Sequence, residues 1–259
     1  MLRVVDLTLA HGATPVVAGL AFALAPGQVT AVSGPNGAGK STLLRALFGA
    51  HAAAHGSIQL DGIPFRSSDR RAWQDRFGYM PQDGGSCSGL TALEVVLLGS
   101  IRHLSLRVTD ESLRAAANGL AQVGVLDLAQ RRIETLSGGQ RQLVFFAQAL
   151  LRRPRVLLLD EPVSALDLRH QMVLLRRVRE MTLAQSLITV AVLHDLNLAA
   201  RFADRAILLR GGRALADGTP ADVFSVATLR AAYGVDAEIA QGRDGRPWIR
   251  VASAEEERA

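Results

Sequence analysis

The alternation of apolar and polar positions along the chain predicts an α/β protein. Short aliphatic and β-branched runs at 29–33, 155–159 and 186–193 are typical of strands that are buried on both faces of a sheet. The first run is followed by helical spacing from Ser41 to Phe48. Because strands are predicted on both sides of a mostly helical stretch at about 83–154, we expect one sheet-based core with a helical insertion.

Smaller elements follow from local patterns. Helical spacing within the insertion predicts helices at 94–98 and 111–123. The pair Gly211-Gly212 separates two apolar runs and predicts a hairpin with a two-residue turn. The charged end, Ser253–Ala259, predicts a frayed tail.

Composition excludes several classes of protein. Residues 7–39 carry no charge, but six glycines and three prolines divide them into pieces of strand length, so no transmembrane helix is predicted. The start of the chain lacks the apolar segment of a signal peptide. The single cysteine, Cys87, excludes an internal disulfide. These features predict a cytosolic protein.

The basic residues are spread thinly along the chain, and all but one of those counted in the charge are arginine. The net charge is +5, yet no basic run is long enough to predict a nucleic-acid surface, and we expect no nucleic-acid partner. Lys40 is the only lysine, and every other basic side chain counted in the charge is arginine. A compact ammonium and a planar guanidinium serve different tasks, so this lysine is a candidate functional residue.

Lys40 lies in a glycine-rich loop between a predicted strand and a predicted helix. The pattern G-x-x-x-x-G-K-[ST] is that of a phosphate-binding loop, in which backbone N–H groups and the helix N-terminus hold phosphate oxygens. The lysine then reaches the β- and γ-phosphates, and Ser41 is a predicted Mg²⁺ ligand. The predicted nucleotide contacts of this segment are Gly34, Pro35, Asn36, Gly37, Ala38, Gly39, Lys40, Ser41 and Thr42.

Two acidic residues end the apolar run at 155–159. The carboxyl edge of a parallel sheet is where ligands of such sheets bind, so Asp160 and Glu161 are expected near the phosphates. Asp160 is predicted to hold Mg²⁺ through water. Glu161 is predicted to orient or deprotonate the attacking water, as the catalytic base.

A second candidate anion site lies between these two motifs. Ser137 stands where an N-cap belongs, before two glycines and an amphipathic helix. One nucleotide does not need two such sites from the same chain. The four residues predicted to bind nucleotide here are Ser137, Gly138, Gly139 and Gln140.

The three motifs, in this order, resemble those of the ATP-binding subunits of ABC transporters, whose signature matches Leu136–Gln140. The resemblance implies a P-loop NTPase of RecA-like α/β fold, with an N-terminal antiparallel β-subdomain and a helical subdomain inserted at about 83–154. It covers residues 1–240 as one nucleotide-binding domain and leaves 241–259 as a C-terminal tail. It also implies ATP and Mg²⁺ as cofactors and a second ATPase subunit, with each ATP held between the phosphate loop of one subunit and the signature helix of the other.

Further residues take roles from the same resemblance. Gln82 matches the glutamine that contacts Mg²⁺ and the attacking water, and His194 matches the histidine that contacts the γ-phosphate. Asp167 matches the aspartate at the dimer seam. The family usually stacks an aromatic residue on adenine, and the matching place is His11, whose imidazole offers a smaller stacking surface.

Within the family, the stretches 164–171, 193–204 and 217–224 are similar to subunits that drive import of iron chelates. The implied cargo is a ferric siderophore first, haem (heme) second and cobalamin third. The implied partners are transmembrane permease subunits and, indirectly, a substrate-binding protein, at the cytoplasmic face of the inner membrane. The alternative is an ABC ATPase that acts on nucleic acid without a transporter.

Overall fold

Strands and helices alternate over most of the chain. The computed structural model describes residues 1–12, 14–82, 87–99, 108–164 and 166–254. In this part of the chain the strands are β1 (Leu2–His11), β2 (Thr14–Leu24), β3 (Gln28–Ser33), β4 (Ala53–Leu60), β5 (Ile63–Pro64), β6 (Phe77–Met80), β7 (Val156–Asp160), β8 (Ile188–Val192), β9 (Arg205–Arg210), β10 (Arg213–Gly218), β11 (Val235–Gln241) and β12 (Pro247–Ala254). The α-helices are α1 (Lys40–Leu47), α2 (Arg70–Gln74), α3 (Ala92–Leu98), α4 (Asp110–Val123), α5 (Gly138–Leu150), α6 (Leu168–Ala184), α7 (Leu196–Phe202), α8 (Pro220–Val223) and α9 (Val226–Tyr233).

The central element is a six-stranded sheet in the order β10-β9-β3-β8-β7-β6. All neighbours are parallel except the β9–β10 hairpin. Alternate side chains of β7 enter different apolar clusters, with Leu158 on one face and Leu157 and Leu159 on the other. Burial on both faces explains why the parallel strands of this sheet are continuous apolar runs.

Register brings the carboxyl ends of four strands to one edge of this sheet. Val32 pairs with Val192, Asp160 with Val192, and Met80 with Leu159. The loops that follow β3, β6, β7 and β8 therefore leave the sheet side by side, which is the placement that the sequence predicted for its motifs.

An antiparallel sheet in the order β2-β1-β4-β5 packs beside the core. Its inward residues, such as Leu7 and Leu20, share one apolar cluster with Leu43 and Leu44 of α1. This is the N-terminal β-subdomain that the resemblance implied, and the expected fold class is confirmed.

Three helices, α3, α4 and α5, pack on one another within the predicted insertion. Two 3₁₀ turns, Leu126–Leu128 and Ile133–Thr135, connect α4 to α5. The predicted helices 94–98 and 111–123 correspond to α3 and α4, each beginning one or two residues earlier than expected. Residues 83–86 and 100–107 of the predicted helical stretch lie outside the described residues.

The C-terminal region is more ordered than the sequence predicted. The turn at Gly211-Gly212 is confirmed, since Arg210 pairs with Arg213 and both glycines have positive φ, 54° and 75°. The predicted tail, however, contains β12, which pairs with β11 so that Val235 faces Ala254. The fraying expected from Ser253 is therefore wrong for residues 253 and 254, and residues 255–259 lie outside the described residues.

Within the described ranges, no helix has both the length and the apolar character needed to cross a membrane.

Candidate nucleotide-binding site

The loop between β3 and α1 is built around glycines that no other residue could replace. Gly34 has a φ of 146°, and a Cβ there would lie 2.2 Å from the carbonyl oxygen of Leu209. Gly39 has a φ of 94°, and its Cβ would lie 2.6 Å from Cγ2 of Val17. Close backbone packing on both sides therefore fixes the path of the loop.

Lys40 turns back into this loop. Its Nζ donates to the carbonyl oxygens of Gly34 and Pro35, both at 2.8 Å. Burial lowers the pKa of Lys40, while the carboxylates of Glu161 and Asp160 act in the opposite direction. A buried ammonium whose partners are mostly neutral carbonyls can gain strongly from a phosphate anion placed beside it.

Ser41 and Asp160 meet at the floor of the site. The Ser41 hydroxyl donates to Oδ1 of Asp160 at 2.9 Å, although the two residues are 119 positions apart. The Tyr79 hydroxyl donates to the other carboxylate oxygen at 3.4 Å. Asp160 is 2% exposed, and burial raises its pKa.

Glu161 follows β7 and is held on both carboxylate oxygens. Oε1 lies 2.6 Å from Nε2 of His194, and Oε2 accepts from the amide nitrogen of Gln82 at 2.8 Å. The backbone of Glu161 is in the left-handed region, with a φ of 52°. This strained conformation and the two contacts aim the carboxylate away from the strand that delivers it.

These residues surround one cavity of about 580 Å³. Its lining combines six residues that run from the loop into α1 with Gln82, Glu161 and His194; the six are Asn36, Gly37, Gly39, Lys40, Ser41 and Thr42. The structure thus brings together most of the predicted catalytic and phosphate-binding residues. Val16 of β2 also lines the cavity, and no sequence signal had identified it.

Other predicted residues lie outside this lining. His11 stands at the end of β1 with its ring edge-on to His51, at a centroid distance of 5.0 Å, so its role in adenine stacking stays a prediction. Asp167 caps α6 by accepting from the backbone N–H of His170 at 2.9 Å. Neither of them lines the cavity.

The signature residues form the start of α5. The Ser137 side chain accepts from the N–H of Gln140, and the Gln140 side chain accepts from the N–H of Ser137, which makes a complete capping box. Ser137 and Gly138 are exposed to solvent, and none of the four signature residues lines the cavity of the same chain. The second anion site is therefore open to another molecule.

A strand, a glycine loop with a buried lysine, and an acid pair at the end of a parallel strand one position removed in the same sheet define a P-loop nucleoside triphosphatase. Residues 17–164 match the family model described as ABC transporter. The chain belongs to the ABC transporter family and is an ABC-type ATPase that binds ATP.

Curated relatives match nearly the whole chain. The hemin import ATP-binding protein of Bordetella avium is 37% identical over 245 residues, which cover 92% of this chain and 94% of the relative. The ferric enterobactin transport ATP-binding protein of Escherichia coli is 36% identical over 90% of this chain and 87% of its own length. A hemin import ATP-binding protein of Myxococcus xanthus is 42% identical over 84% of each chain.

Solved structures share the fold. A metal-chelate type ABC transporter in an inward-facing conformation superposes with a TM-score of 0.84 at 28% identity, over 97% of this chain and 96% of that chain. A dimeric bacterial ABC transporter cassette gives a TM-score of 0.76 at 25% identity, over 85% and 99% of the two chains.

Proposed function

We propose that this protein is the ATP-hydrolysing subunit of an importer for an iron chelate, and that two copies of it enclose each ATP. The observation that carries the proposal is the fixed carboxylate of Glu161, held between His194 and Gln82 and facing the same cavity as Lys40 and Ser41. A base, a cation and a phosphate loop around one cavity are the parts that phosphoryl transfer to water requires.

The chemistry divides among named residues. Glu161 accepts a proton from the attacking water as that oxygen bonds to the γ-phosphorus and the bond to the β–γ bridging oxygen breaks. His194 and Gln82 hold the two carboxylate oxygens of Glu161, so that the base is already oriented before ATP binds. Lys40 exchanges its carbonyl partners for phosphate oxygens and stabilises the charge that develops on them.

The floor of the site fits Mg²⁺. Mg²⁺ takes oxygen ligands and keeps several waters, so Ser41 would bind it directly and Asp160 would hold it through one of those waters. The Ser41 hydroxyl and Asp160 Oδ1 are separated by 2.9 Å. Mg²⁺ bound there would neutralise charge on the phosphates. Gln82 was also predicted as a ligand, but its amide nitrogen is engaged by Glu161, so its oxygen is the atom that could contribute.

The capped start of α5 is the proposed contribution of the second copy. Its N–H groups and dipole suit a γ-phosphate. Ser137 and Gly138 at this end are exposed, and neither lines the cavity of its own chain. A dimeric cassette among the structural neighbours supports this arrangement.

Glu161→Gln tests the catalytic part of the proposal. The variant keeps the size of the side chain but cannot take up the proton, so phosphate release is expected to fall at least about a hundredfold. MgATP-dependent association of two chains should persist, as measured by light scattering. The matched control is Glu238→Gln on exposed β11, which should behave as wild type. Wild-type turnover by Glu161→Gln would remove Glu161 from the mechanism.

The transport part of the proposal rests on the names of the relatives, which are ATP-binding proteins of importers. Their names support haem as the first cargo to test, ahead of a ferric siderophore and cobalamin, which changes the order that the sequence implied. We also propose permease partners and, from these, a peripheral position at the cytoplasmic face of the membrane.

Growth of a deletion strain on single iron sources distinguishes the candidate cargoes. A strain that lacks this subunit should fail to grow on hemin as its only iron source, and the wild-type gene, but not Glu161→Gln, should restore growth. Unimpaired growth on hemin with a defect on ferric enterobactin would instead assign a siderophore. Normal growth on both, with normal uptake of cobalamin, would contradict an importer of this group.

A further inference from the structure

The second glycine of the signature, Gly139, packs against a ring from another helix. A Cβ on Gly139 would lie 2.1 Å from Cδ2 and 2.3 Å from Cγ of His170. Gly139 lies inside α5 with an ordinary helical φ, so its backbone conformation does not require glycine. The approach of the ring is the feature in this structure that excludes a side chain there.

The ring of His170 is itself held in place. Its Nδ1 lies 2.8 Å from both carboxylate oxygens of Asp167, so the proton is on this nitrogen. The backbone N–H of His170 also donates to Asp167, which fixes the first turn of α6. A side chain anchored at both its backbone and its ring has little freedom to move away from Gly139.

The loop before α6 is tied to the same turn. The side chain of Gln171, next to His170, donates to the carbonyl oxygens of Val163 and Leu166 at 3.3 Å and 3.0 Å. Gln171 thus ties the loop after Glu161 to the first turn of α6, and the ring of His170 brings that turn against the start of α5.

We propose that His170 is a positioning residue, whose ring sets the spacing between the signature end of α5 and the loop that ends at Asp167. This inference rests on the proposed function, in which both segments face the second copy of the chain. A fixed spacing makes the two segments close on that copy as one rigid piece. His170 does not line the cavity, so it acts through its neighbours rather than on ATP.

The contact predicts a specific pattern of rescue. Gly139→Ala alone overlaps the ring and is expected to weaken MgATP-dependent association about tenfold, within the usual range for directly coupled residues. Gly139→Ala combined with His170→Ala removes the two shortest contacts and leaves only the Cβ of residue 170, at 2.8 Å, so the helices need to shift by only a few tenths of an ångström. Association should therefore recover to within about threefold of His170→Ala alone.

The matched control is Gly139→Ala combined with His170→Phe, which keeps a ring of similar width against residue 139 and should not recover. His170→Ser is an independent variant, because serine retains a hydroxyl donor towards Asp167 but removes every ring atom that approaches Gly139. It should weaken association severalfold while its midpoint of thermal unfolding stays within a few degrees of the parent.

Association is measured by light scattering with MgATP in the Glu161→Gln parent, and phosphate release is measured with Glu161 intact. Recovery with His170→Ala, but not with His170→Phe, supports the proposal. Equal failure of both double variants overturns the proposal, as does unchanged association of His170→Ser. In either case the proposed function still stands if the parent associates with MgATP. A parent that never associates with MgATP overturns the proposed shared site and this inference with it.

Discussion

At the scale of single residues, a strained backbone conformation at Glu161 orients the carboxylate of the predicted catalytic base. Glu161 adopts a left-handed backbone conformation immediately after β7. For a residue other than glycine this costs about 1–2 kcal/mol. The contacts of its carboxylate with His194 and Gln82 depend on that backbone direction, because a continued extended strand would carry residue 161 onward along the sheet.

Gly34→Ala should destabilise the protein by more than the cost of a left-handed alanine. The new Cβ would overlap the Leu209 carbonyl at 2.2 Å, so strands β3 and β9 must separate. We expect a loss of about 3 kcal/mol in the free energy of unfolding, measured with urea. Gly27→Ala is the control, because Gly27 has a φ of 75° but a Cβ there would meet no atom within 4 Å. This variant should lose only about 1 kcal/mol of unfolding free energy. Equal losses would contradict the steric argument.

Asp160→Asn should stabilise the nucleotide-free protein while it removes ATPase activity. Burial raises the pKa of Asp160, the Ser41 hydroxyl lowers it, and the Glu161 carboxylate raises it again, with a net increase. A carboxyl whose pKa is higher when folded gives stability that is present at low pH and is lost as the pH rises through the folded pKa. At pH 7.5 the neutral amide avoids that cost, and we expect a gain of about 1 kcal/mol.

The measurement is urea unfolding in EDTA at several pH values. The advantage of Asp160→Asn over the wild type should shrink as the pH falls, because the folded wild type then takes up a proton on Asp160. An advantage that grows towards low pH would reverse the assigned sign of the pKa shift.

At the scale of elements, the C-terminal hairpin is fastened to α7, the helix that follows His194. The side chain of Asn197 donates to the carbonyl oxygen of Ile249 and accepts from its N–H, at 3.0 Å and 2.8 Å. Arg246 donates to the carbonyl oxygens of Ala200 and Ala203 at the other end of the helix. The hairpin therefore supports α7 at both ends.

Asn197→Ala should cost about 2 kcal/mol of unfolding free energy, since it removes both bonds of the amide and leaves backbone groups of β12 without this partner. The measurement is urea unfolding. Trp248→Ala is the control on the same strand, because Trp248 is exposed and should change stability little. A cost no greater than that of the control would show that the hairpin does not hold α7.

At the scale of the whole molecule, one chain supplies only part of a closed nucleotide site. The phosphate loop and Glu161 line one cavity, while Ser137 and Gly138 at the capped start of α5 are exposed to solvent. MgATP should therefore raise the midpoint of thermal unfolding of Glu161→Gln by an amount that increases with protein concentration, because ligand binding and association are linked. MgADP, which lacks the γ-phosphate that joins the two copies, should give a shift independent of protein concentration.

Those parts of the site that depend on one local segment could be predicted. The lysine, its glycines and the following serine are consecutive, and their chemistry requires that spacing. Asp160 was predicted because a buried strand that ends in acids occurs together with a phosphate loop, and ligands of such sheets bind at the carboxyl edge. Val16, Tyr79 and His170 carried no such signal, since each is an ordinary residue that becomes important only through a neighbour distant in the sequence.

The sequence alone determined the parallel strands of the core, the main helices and the chemistry of the site. Continuous runs of apolar and β-branched residues predicted the parallel strands, because local sequence patterns encode local structure. The motifs identified a nucleotide site, because they bring the reactive groups within one short segment. The tertiary structure decided which groups meet: the Ser41–Asp160 contact across 119 residues, the carboxylate of Glu161 held by His194 and Gln82, and the ring that requires Gly139. Such contacts depend on sheet register and helix packing, which are set by the whole core and not by any one segment.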